Sequence, residues 1–477
     1  MVKNIDNRWF AFIILCLGTL MEVLDSTIVN VALPSIRMNL HFSESNLAWV
    51  INAYLLTFGG FLLLGGKLGD LYGQRRLFIA GISIFTAASL LCGLAQTQEV
   101  LIIARALQGF GGAIIAAVSL SLVMNLFTTP DERARAMGYF GFIAAGGGAI
   151  GVLVGGILTN SFDWHWNFLV NVPIGILVII FALKLLPHSK AETQHKQLDV
   201  WGAVTVTSAL LLAVYAIVNG NQAGWLSTQT IGLLTAAFVL LGIFLWIESH
   251  VRSPLMPLTL FKLRSVSVAN TVAVLWAAGM FAWFFLSALY LQLVLHYSPL
   301  QVGLSFLPAN LIMAVFSLGL SAKLVMKFGI LKPLAFGLSL AALGLLLFVW
   351  APVQGSFVAN VLPSMVLLGF GAGAAFNPML LAAMNDVPQD ESGLASGIVN
   401  TSFMMGGSLG LAILASIAAF QTIKLVSSGV PQIVALTGGY HAAFLVGAIF
   451  AGLAALLSAT MLRVSKVQNS EMADKIH

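Results

Sequence analysis

Three ionisable side chains lie inside long apolar segments of the chain: Glu22, Asp25 and Arg105. A charge in hydrocarbon surroundings is expensive, so such residues usually mark a functional site. A carboxylate held in a low-dielectric cavity near a cation can bind and release a proton, which is what coupling to a proton gradient requires. Asp25 and Arg105 are therefore candidates for handling protons, with Glu22 as a third.

The two acids belong to one polar stripe on the predicted first helix. Its members are Thr19, Glu22, Ser26 and Asn30, with Asp25 beside them. Such a stripe must face protein or water rather than lipid. With roughly 1.5 Å of rise per residue, Asp25 and Arg105 reach similar heights in the outer half of a membrane. A pairing between them, direct or through water, is geometrically allowed.

Less specific roles stay open for both acids. Asp25 is either a group that exchanges protons or a permanently ionised structural partner of Arg105. Glu22 either binds a cation or has a structural or peripheral role.

The composition places these residues in a membrane protein. Of 477 residues, 59% are hydrophobic and 8% are charged, where a soluble domain has roughly 25% charged residues. The net charge of +5 comes from short loops and does not indicate a nucleic-acid binder. Cys16 and Cys92 lack metal-ligand spacing, and no nucleotide, haem or triad motif appears. We therefore expect no metal site, no cofactor and no enzymatic chemistry.

Apolar runs of membrane-spanning length predict fourteen helices. The N-terminal run is too long for a signal peptide and counts as the first of them. Their predicted ranges are 10–33, 46–66, 77–95, 100–122, 137–159, 166–186, 199–219, 229–247, 267–295, 302–322, 333–351, 358–380, 394–420 and 440–462.

The basic residues orient these helices. Of the 22 lysines and arginines, all but Arg37, Arg105 and Lys424 fall in or beside segments on one side of the predicted topology. Positive residues concentrate in cytoplasmic loops. The sequence thus predicts a multi-pass protein of the cell (inner) membrane with both termini in the cytoplasm.

The two ends of the chain resemble each other at a fixed offset. Residues 131–138 match 390–397, which lie 259 positions later. In the same register, Gly147, Gly148 and Gly151 match Gly406, Gly407 and Gly410. The segments 66–73 and 107–111 similarly match 322–329 and 367–371.

This offset leaves room for an extra helix pair between two related six-helix halves, a 6 + 2 + 6 arrangement. The predicted domains are an N-terminal bundle over 1–190, linkers with two inserted helices over 191–262, and a C-terminal bundle over 263–477. Parallel repeats of this kind occur in transporters whose halves rock around a site near the membrane midplane.

Further residues are candidates for lining a substrate cavity. Aromatic side chains on the ninth helix either line a pocket or simply pack. The cavity candidates are Glu22, Asn30, Trp276, Trp283, Phe284, Tyr290, Asn310 and Asn377.

Several motifs along the sequence resemble those of the major facilitator superfamily, and within it those of the fourteen-helix drug:proton antiporters of EmrB/QacA type. The stretch 24–34, Leu-Asp-Ser-Thr-Ile-Val-Asn-Val-Ala-Leu-Pro, is similar to that family's first-helix motif, whose acid is Asp25. The segments 164–168 and 171–175 also fit this branch. The resemblance implies an all-α integral membrane protein with the major facilitator fold.

Three more motifs carry the resemblance. Residues 66–76 resemble the loop that latches the two halves on the cytoplasmic side, implying latch roles for Gly66, Asp70, Gly73, Arg75 and Arg76. Residues 105–109 resemble the fourth-helix motif, which includes Gln108 and Gly109 and whose arginine is implicated in proton transfer. In the fifth helix, Gly151, Gly155 and Gly156 fit the antiporter motif, but Val152 replaces its proline.

The expected function is proton-coupled efflux of small lipophilic or cationic compounds by rocker-switch alternating access. The expected partners are the substrate and the lipid bilayer, without nucleic acid; a periplasmic adaptor in a double-membrane host stays open. Export or uptake of a metabolite, siderophore, lipid or peptide is an alternative. A transporter-shaped ligand sensor is an alternative of another class.

Overall fold

The computed structural model describes residues 5–127, 129–187, 198–388 and 391–462. Within these ranges the chain forms helices and the turns between them, without strands. The predicted all-α class is confirmed. The predicted boundary at 190/191 and both chain termini lie outside the described residues, whereas the boundary at 262/263 falls just before a long helix.

Seventeen α-helices follow one another in the described ranges. They are α1 Ile5–Leu40, α2 Glu44–Leu47, α3 Trp49–Tyr72, α4 Gln74–Gly93, α5 Gln98–Leu126, α6 Pro130–Ser161, α7 Trp166–Leu169, α8 Asn171–Leu185, α9 Val200–Ala223, α10 Thr228–His250, α11 Arg264–Leu289, α12 Pro299–Val315, α13 Ser321–Phe328, α14 Leu331–Val349, α15 Leu362–Met384, α16 Ser392–Ser427 and α17 Gln432–Thr460.

Twelve helices in the described part of the chain are long and apolar enough to cross a membrane. The protein is therefore a multi-pass membrane protein, as predicted. The predicted spans 137–159 and 302–322 correspond instead to shorter apolar segments, Gly146–Ser161 within α6 and Pro299–Val315. The count of fourteen spans stays a prediction.

The predicted span 302–322 is not one continuous helix. After α12 the backbone makes a π-helical turn, Phe316–Leu320, before α13 begins. Gly319 has φ 121° there, in a region that glycine occupies without the steric penalty of a side chain. The apolar pattern could not reveal this break because periodicity does not report one residue's backbone angle.

The same packing scheme occurs near both ends of the chain. In the N-terminal bundle (α1–α8), α1 packs on α6 and α8, and α4 packs on α5. In the C-terminal bundle (α11–α17), α11 packs on α16 and α17, and α14 packs on α15. These helix pairs correspond in chain order: α1 with α11, α6 with α16, α8 with α17, α4 with α14 and α5 with α15.

The intervening helices α9 and α10 form a hairpin outside this scheme. They pack on each other, and α9 also lies against α3 and α16. Most of α10 is exposed, with large apolar side chains such as Phe238 and Trp246 on its surface. In a membrane protein such a surface faces lipid.

Glycines in α6 allow two close helix contacts at once. A Cβ placed on Gly151 or Gly155 would meet the backbone of α1, at Leu24 or Ile28. A Cβ on Gly156 would lie 2.9 Å from the carbonyl oxygen of Pro299 in α12. Small residues allow this backbone-to-backbone approach, so α6 joins α1 to the C-terminal bundle.

A third close approach joins α5 to α3. A Cβ on Gly109 would overlap the carbonyl oxygen of Tyr54 and the hydroxyl of Thr57. That hydroxyl donates a hydrogen bond across the contact to the carbonyl oxygen of Ala106, at 2.7 Å. Gly109 therefore sets the distance between α5 and α3.

We predict that Gly109→Ala destabilises the protein because its methyl group has no room between α5 and α3. Overpacking of this kind typically costs about 1–3 kcal/mol. Thermal unfolding of the purified protein, followed by tryptophan fluorescence, should show a lower midpoint.

The matched control is Gly242→Ala in α10, where a Cβ would meet nothing within 4 Å. Alanine is favoured over glycine in a helix by up to about 1 kcal/mol, so this variant should melt at or above the wild-type temperature. Equal midpoints for both variants would contradict the assigned contact.

Candidate functional site

Asp25 and Arg105 meet inside the N-terminal bundle. The Asp25 side chain is 0% exposed and the Arg105 side chain is 1% exposed. The guanidinium Nη1 of Arg105 donates directly to Oδ2 of Asp25. The pairing that the sequence allowed is therefore present, in its direct form.

Two amide side chains complete the surroundings of the carboxylate. Oδ1 of Asp25 accepts from Nε2 of Gln108 at 2.6 Å and from Nδ2 of Asn171 at 3.1 Å. Gln108 lies one helical turn after Arg105 on α5, whereas Asn171 begins α8. Both carboxylate oxygens thus have donors.

The arginine is held from three further directions. Its Nε donates to the carbonyl oxygen of Val50 at 2.9 Å, and Nη1 also donates to Oε1 of Gln108 at 2.6 Å. The guanidinium lies 4.5 Å from the ring centroid of Tyr54. Val50 and Tyr54 belong to α3, so the α3–α5 contact at Gly109 positions the arginine.

The two charges of this network depend on each other. In low-dielectric surroundings an ion pair is strong when complete and very unfavourable when one charge is removed. Protonation of Asp25 would leave the buried Arg105 without its opposite charge.

Glu22 lies one turn before Asp25 and has a different environment. Its side chain is half-buried, and its Oε2 has no hydrogen-bond partner among the described residues. Asp25 and the Tyr54 ring are its electrostatic neighbours. The hydroxyls of Thr19 and Tyr54 also lack partners. These groups form a polar surface that has hydrogen-bonding capacity left for a ligand or water.

Asn30 continues the polar stripe toward the end of α1. Its amide nitrogen donates back to the carbonyl oxygens of Ser26 and Thr27, at 3.2 and 3.3 Å. Its Oδ1 has no partner among the described residues.

The motif at 66–76 forms the end of α3 and the turn into α4. Gly73 has φ 92° and makes the turn, while Asp70 and Arg76 are exposed and Gly66 has open space beside it. Arg75 donates to the carbonyl oxygen of Leu183 in α8. This contact stays within the N-terminal bundle, and the latch role remains a prediction.

The aromatic candidates on α11 are enclosed within the C-terminal bundle. Trp276 packs against Phe376 and Phe403, and Trp283 lies beside Phe284. Tyr290, which follows α11, donates to the carbonyl oxygen of Pro352 at 2.7 Å. Their role in a substrate cavity stays a prediction.

The two asparagine candidates differ in position. Asn310 is buried in α12, where its amide donates to the carbonyl oxygen of Phe306 at 3.0 Å, and its Oδ1 lies near Gly148 of α6. It therefore sits between the two bundles. Asn377 is half-buried in α15.

Several members of the network were not predicted from the sequence. Ser89 accepts from Nε2 of Gln108 at 2.8 Å, and neither Ser89, Asn171 nor Tyr54 was expected to join the site. An amide or hydroxyl in an otherwise apolar helix, as at Asn171, indicates a buried polar contact. Predicting the partner in that contact requires knowing which helices are neighbours.

Comparisons with known proteins agree with this architecture. A family model described as Major Facilitator Superfamily matches residues 15–411. The chain is 35% identical to the puromycin resistance protein pur8 of Streptomyces alboniger, covering 98% of this chain and 93% of that protein. It is 36% identical to the multidrug resistance protein Stp of Mycobacterium tuberculosis, strain CDC 1551 / Oshkosh, covering 84% and 74%.

Solved structures show the same fold. The inward-open xylose transporter XylE from E. coli superimposes with a TM-score of 0.62 at 15% identity, covering 98% of this chain and 99% of that one. At this identity the likeness concerns the fold alone.

We predict that Arg105→Met strongly destabilises the protein because it leaves the Asp25 carboxylate buried without a cation. Breaking one side of a buried ion pair costs roughly 3–5 kcal/mol. The double variant Asp25→Asn/Arg105→Met carries neither charge and should recover much of that loss. Thermal unfolding of the purified proteins measures both changes.

The control is Arg76→Met, since Arg76 is exposed and a surface charge contributes little. A double variant that is less stable than Arg105→Met alone would show that the two charges do not depend on each other.

Proposed function

The chain belongs to the major facilitator superfamily, and we propose that it exports small lipophilic or cationic compounds in exchange for protons. The observation that carries this proposal is the fully buried Asp25–Arg105 pair, whose charge balance a single proton would change. The relatives support export, because their names describe resistance to puromycin and to multiple drugs.

We propose that the chain crosses the membrane fourteen times, as two six-helix bundles with the α9–α10 hairpin between them. The matching neighbours in the two bundles support this arrangement. The shorter apolar segments of α6 and α12 supply the two spans that length alone does not identify. Basic loop residues favour the cell (inner) membrane, with both termini in the cytoplasm.

In the proposed rocker-switch cycle the two bundles tilt about their shared contacts and open the space between them to one side at a time. These contacts are α6 on α12 and α3 on α16. At the second contact, Gly59 faces Met404 and Met405. A glycine packed against flexible methionine side chains favours a helix contact whose two surfaces can slide past each other.

Asp25 is the proposed proton carrier. A proton arriving from outside would neutralise it and release Arg105, and a substrate would favour the state in which Asp25 is ionised. Proton and substrate then favour opposite conformations of the protein. They therefore compete with each other even if they bind at different places. No cofactor is required besides the proton gradient.

Glu22 is the proposed contact for positive charge on the substrate. With Asp25 neutralised by Arg105, Glu22 is the remaining acid on this face of α1. Its unpartnered carboxylate oxygen is available to a cation.

Val152 stands where the antiporter motif has proline. The carbonyl oxygen of Val152 faces Gly303 across the α6–α12 contact, where a Cβ on Gly303 would lie 2.7 Å from it. The close approach of the two bundles is thus kept without proline. This favours retention of the exchange mechanism.

We predict that Asp25→Asn abolishes transport driven by a pH gradient, because the amide cannot take up a proton. Everted membrane vesicles with an acidic interior measure this directly, using puromycin and a lipophilic dye cation as substrates. Transport should fall to the level of vesicles without the protein.

Glu99→Gln is the matched control, since Glu99 is an exposed carboxylate in the first turn of α5. It should transport like the wild type. Full gradient-driven transport by Asp25→Asn would refute the role of Asp25.

We predict that Glu22→Gln changes selectivity rather than abolishing export, because it removes a charge but keeps a polar side chain. In an efflux-deficient host, the wild-type chain should raise tolerance to lipophilic cations and to neutral antibiotics. Glu22→Gln should lose the protection against cations and keep the protection against neutral compounds.

Loss of both kinds of protection would assign Glu22 to proton coupling instead. If the wild-type chain protects against no compound in the panel, a dedicated metabolite transporter or a sensor becomes the better interpretation.

A further inference from the structure

A second buried polar cluster lies where α9 begins, α10 ends and α3 ends. Asp199 caps α9, its Oδ1 accepting from the backbone N–H of Gly202 at 2.7 Å. Glu248 lies in the last turn of α10, its Oε2 accepting from the backbone N–H of Met256 at 3.0 Å. Each residue is only 3% exposed. None of these groups belongs to the Asp25 network.

Among the described residues, each of the two carboxyl groups has one oxygen without a donor. These oxygens are Oδ2 of Asp199 and Oε1 of Glu248, and the two side chains are electrostatic neighbours. A buried acceptor without a donor is unfavourable. Two buried carboxylates side by side add repulsion to that cost.

In the described part of the chain, the charges around this cluster do not balance two ionised carboxylates. Lys67 is the cation near Glu248, and its Nζ donates to the carbonyl oxygens of Ser253 and Pro254 at 2.7 and 2.6 Å. The neighbouring His250 and Arg252 are exposed. The remaining packing here is apolar and is provided by Leu64, Ala203 and Leu255.

We propose that Asp199 and Glu248 share one proton between Oδ2 and Oε1, forming a second proton-binding site at the base of the inserted hairpin. With one proton bound, one of these two oxygens donates a hydrogen bond and the other accepts it. It also leaves a single negative charge opposite Lys67. The site goes beyond the proposed export function, since it is built from the hairpin and α3 rather than from the Asp25 network.

The site joins the start of α9, the end of α10 and the end of α3. While the proton is bound, the start of α9 and the end of α10 are held together, and Lys67 holds the segment after α10 that leads into α11. Release of the proton to solvent leaves two carboxylates facing one ammonium group. The resulting repulsion separates the base of the hairpin and loosens this connection between the bundles.

Infrared spectroscopy of the purified full-length protein tests the proposal, because a protonated carboxyl group has a carbonyl absorption that a carboxylate lacks. The background variant Glu22→Gln/Asp25→Asn/Arg105→Met removes the acids of the first site without leaving Arg105 buried and unpaired. At neutral pH this background should show the absorption of a protonated carboxyl group. Adding Glu248→Gln or Asp199→Asn should remove it, and adding Glu99→Gln should leave it unchanged.

An absorption that survives both Glu248→Gln and Asp199→Asn, or that is absent from the background, would overturn the proposal. The second result would mean that both acids are ionised, with a bridging water or a bound cation supplying the missing interactions. Neither outcome bears on the export function, because no transport is measured.

Stability measurements guard against variants that merely misfold. Glutamine imitates the protonated form of Glu248, because its amide nitrogen can donate to Asp199 and its oxygen can accept from Met256. Glu248→Gln should therefore melt near the wild-type temperature, whereas Glu248→Leu, which cannot make these bonds, should melt lower. Equal losses for both variants would show that the position needs an ionised carboxylate and would count against the shared proton.

Discussion

Polar groups inside a bundle that lipid surrounds need hydrogen-bonding or charged partners within the protein. The Asp25–Arg105 pair needs such partners most, because both of its groups are charged. Both side chains are shielded from solvent, so each depends on the other and on fixed dipoles. The necessary donors and acceptors come from α3, α4, α5 and α8. The pair therefore dictates which helices surround α1. An apolar side chain at either position would leave the other charge buried without its partner.

Close contacts between helices allow this network of polar groups to form. Gly109 brings α5 near enough to α3 for Arg105 to use the carbonyl oxygen of Val50. In α6, Gly151 and Gly155 lie directly on the backbone of α1 on either side of Thr27. In lipid there is little hydrophobic drive between helices, so such close packing is itself a main source of cohesion. The glycines are thus as much a part of the site as the charged residues that they position.

The parts of this site that depend on local sequence could be predicted, whereas the parts that depend on helix packing could not. The depth of Asp25 and Arg105 follows from helical rise, so their pairing could be anticipated. The positions of most helices followed from apolar length in the same way. Asn171 and Ser89 could not be assigned, because their role depends on which helices are neighbours. The break at Gly319 and the contact of Lys67 with the segment after α10 depend on backbone angles and connecting turns, which apolar periodicity does not record.

The two bundles share a packing scheme but use different chemistry at equivalent places. Where α5 carries Gln108, α15 carries Leu368, which lies against Gly344 of α14. No acid or base occurs in α11 after Arg264, and its aromatic side chains pack within their own bundle. In the proposed cycle, a change of charge at Asp25 would act on the N-terminal bundle first. It would reach the other bundle through α6, because Gly151 touches α1 beside Asp25 and Gly156 touches α12. Because Gly151 and Gly155 lie against α1 and Gly156 lies against α12, a shift of α1 would press on α6 and through it on α12. The proposed mechanism would thus use the asymmetry: the charge would change in one bundle, and the close contacts of α6 would carry the effect to the other.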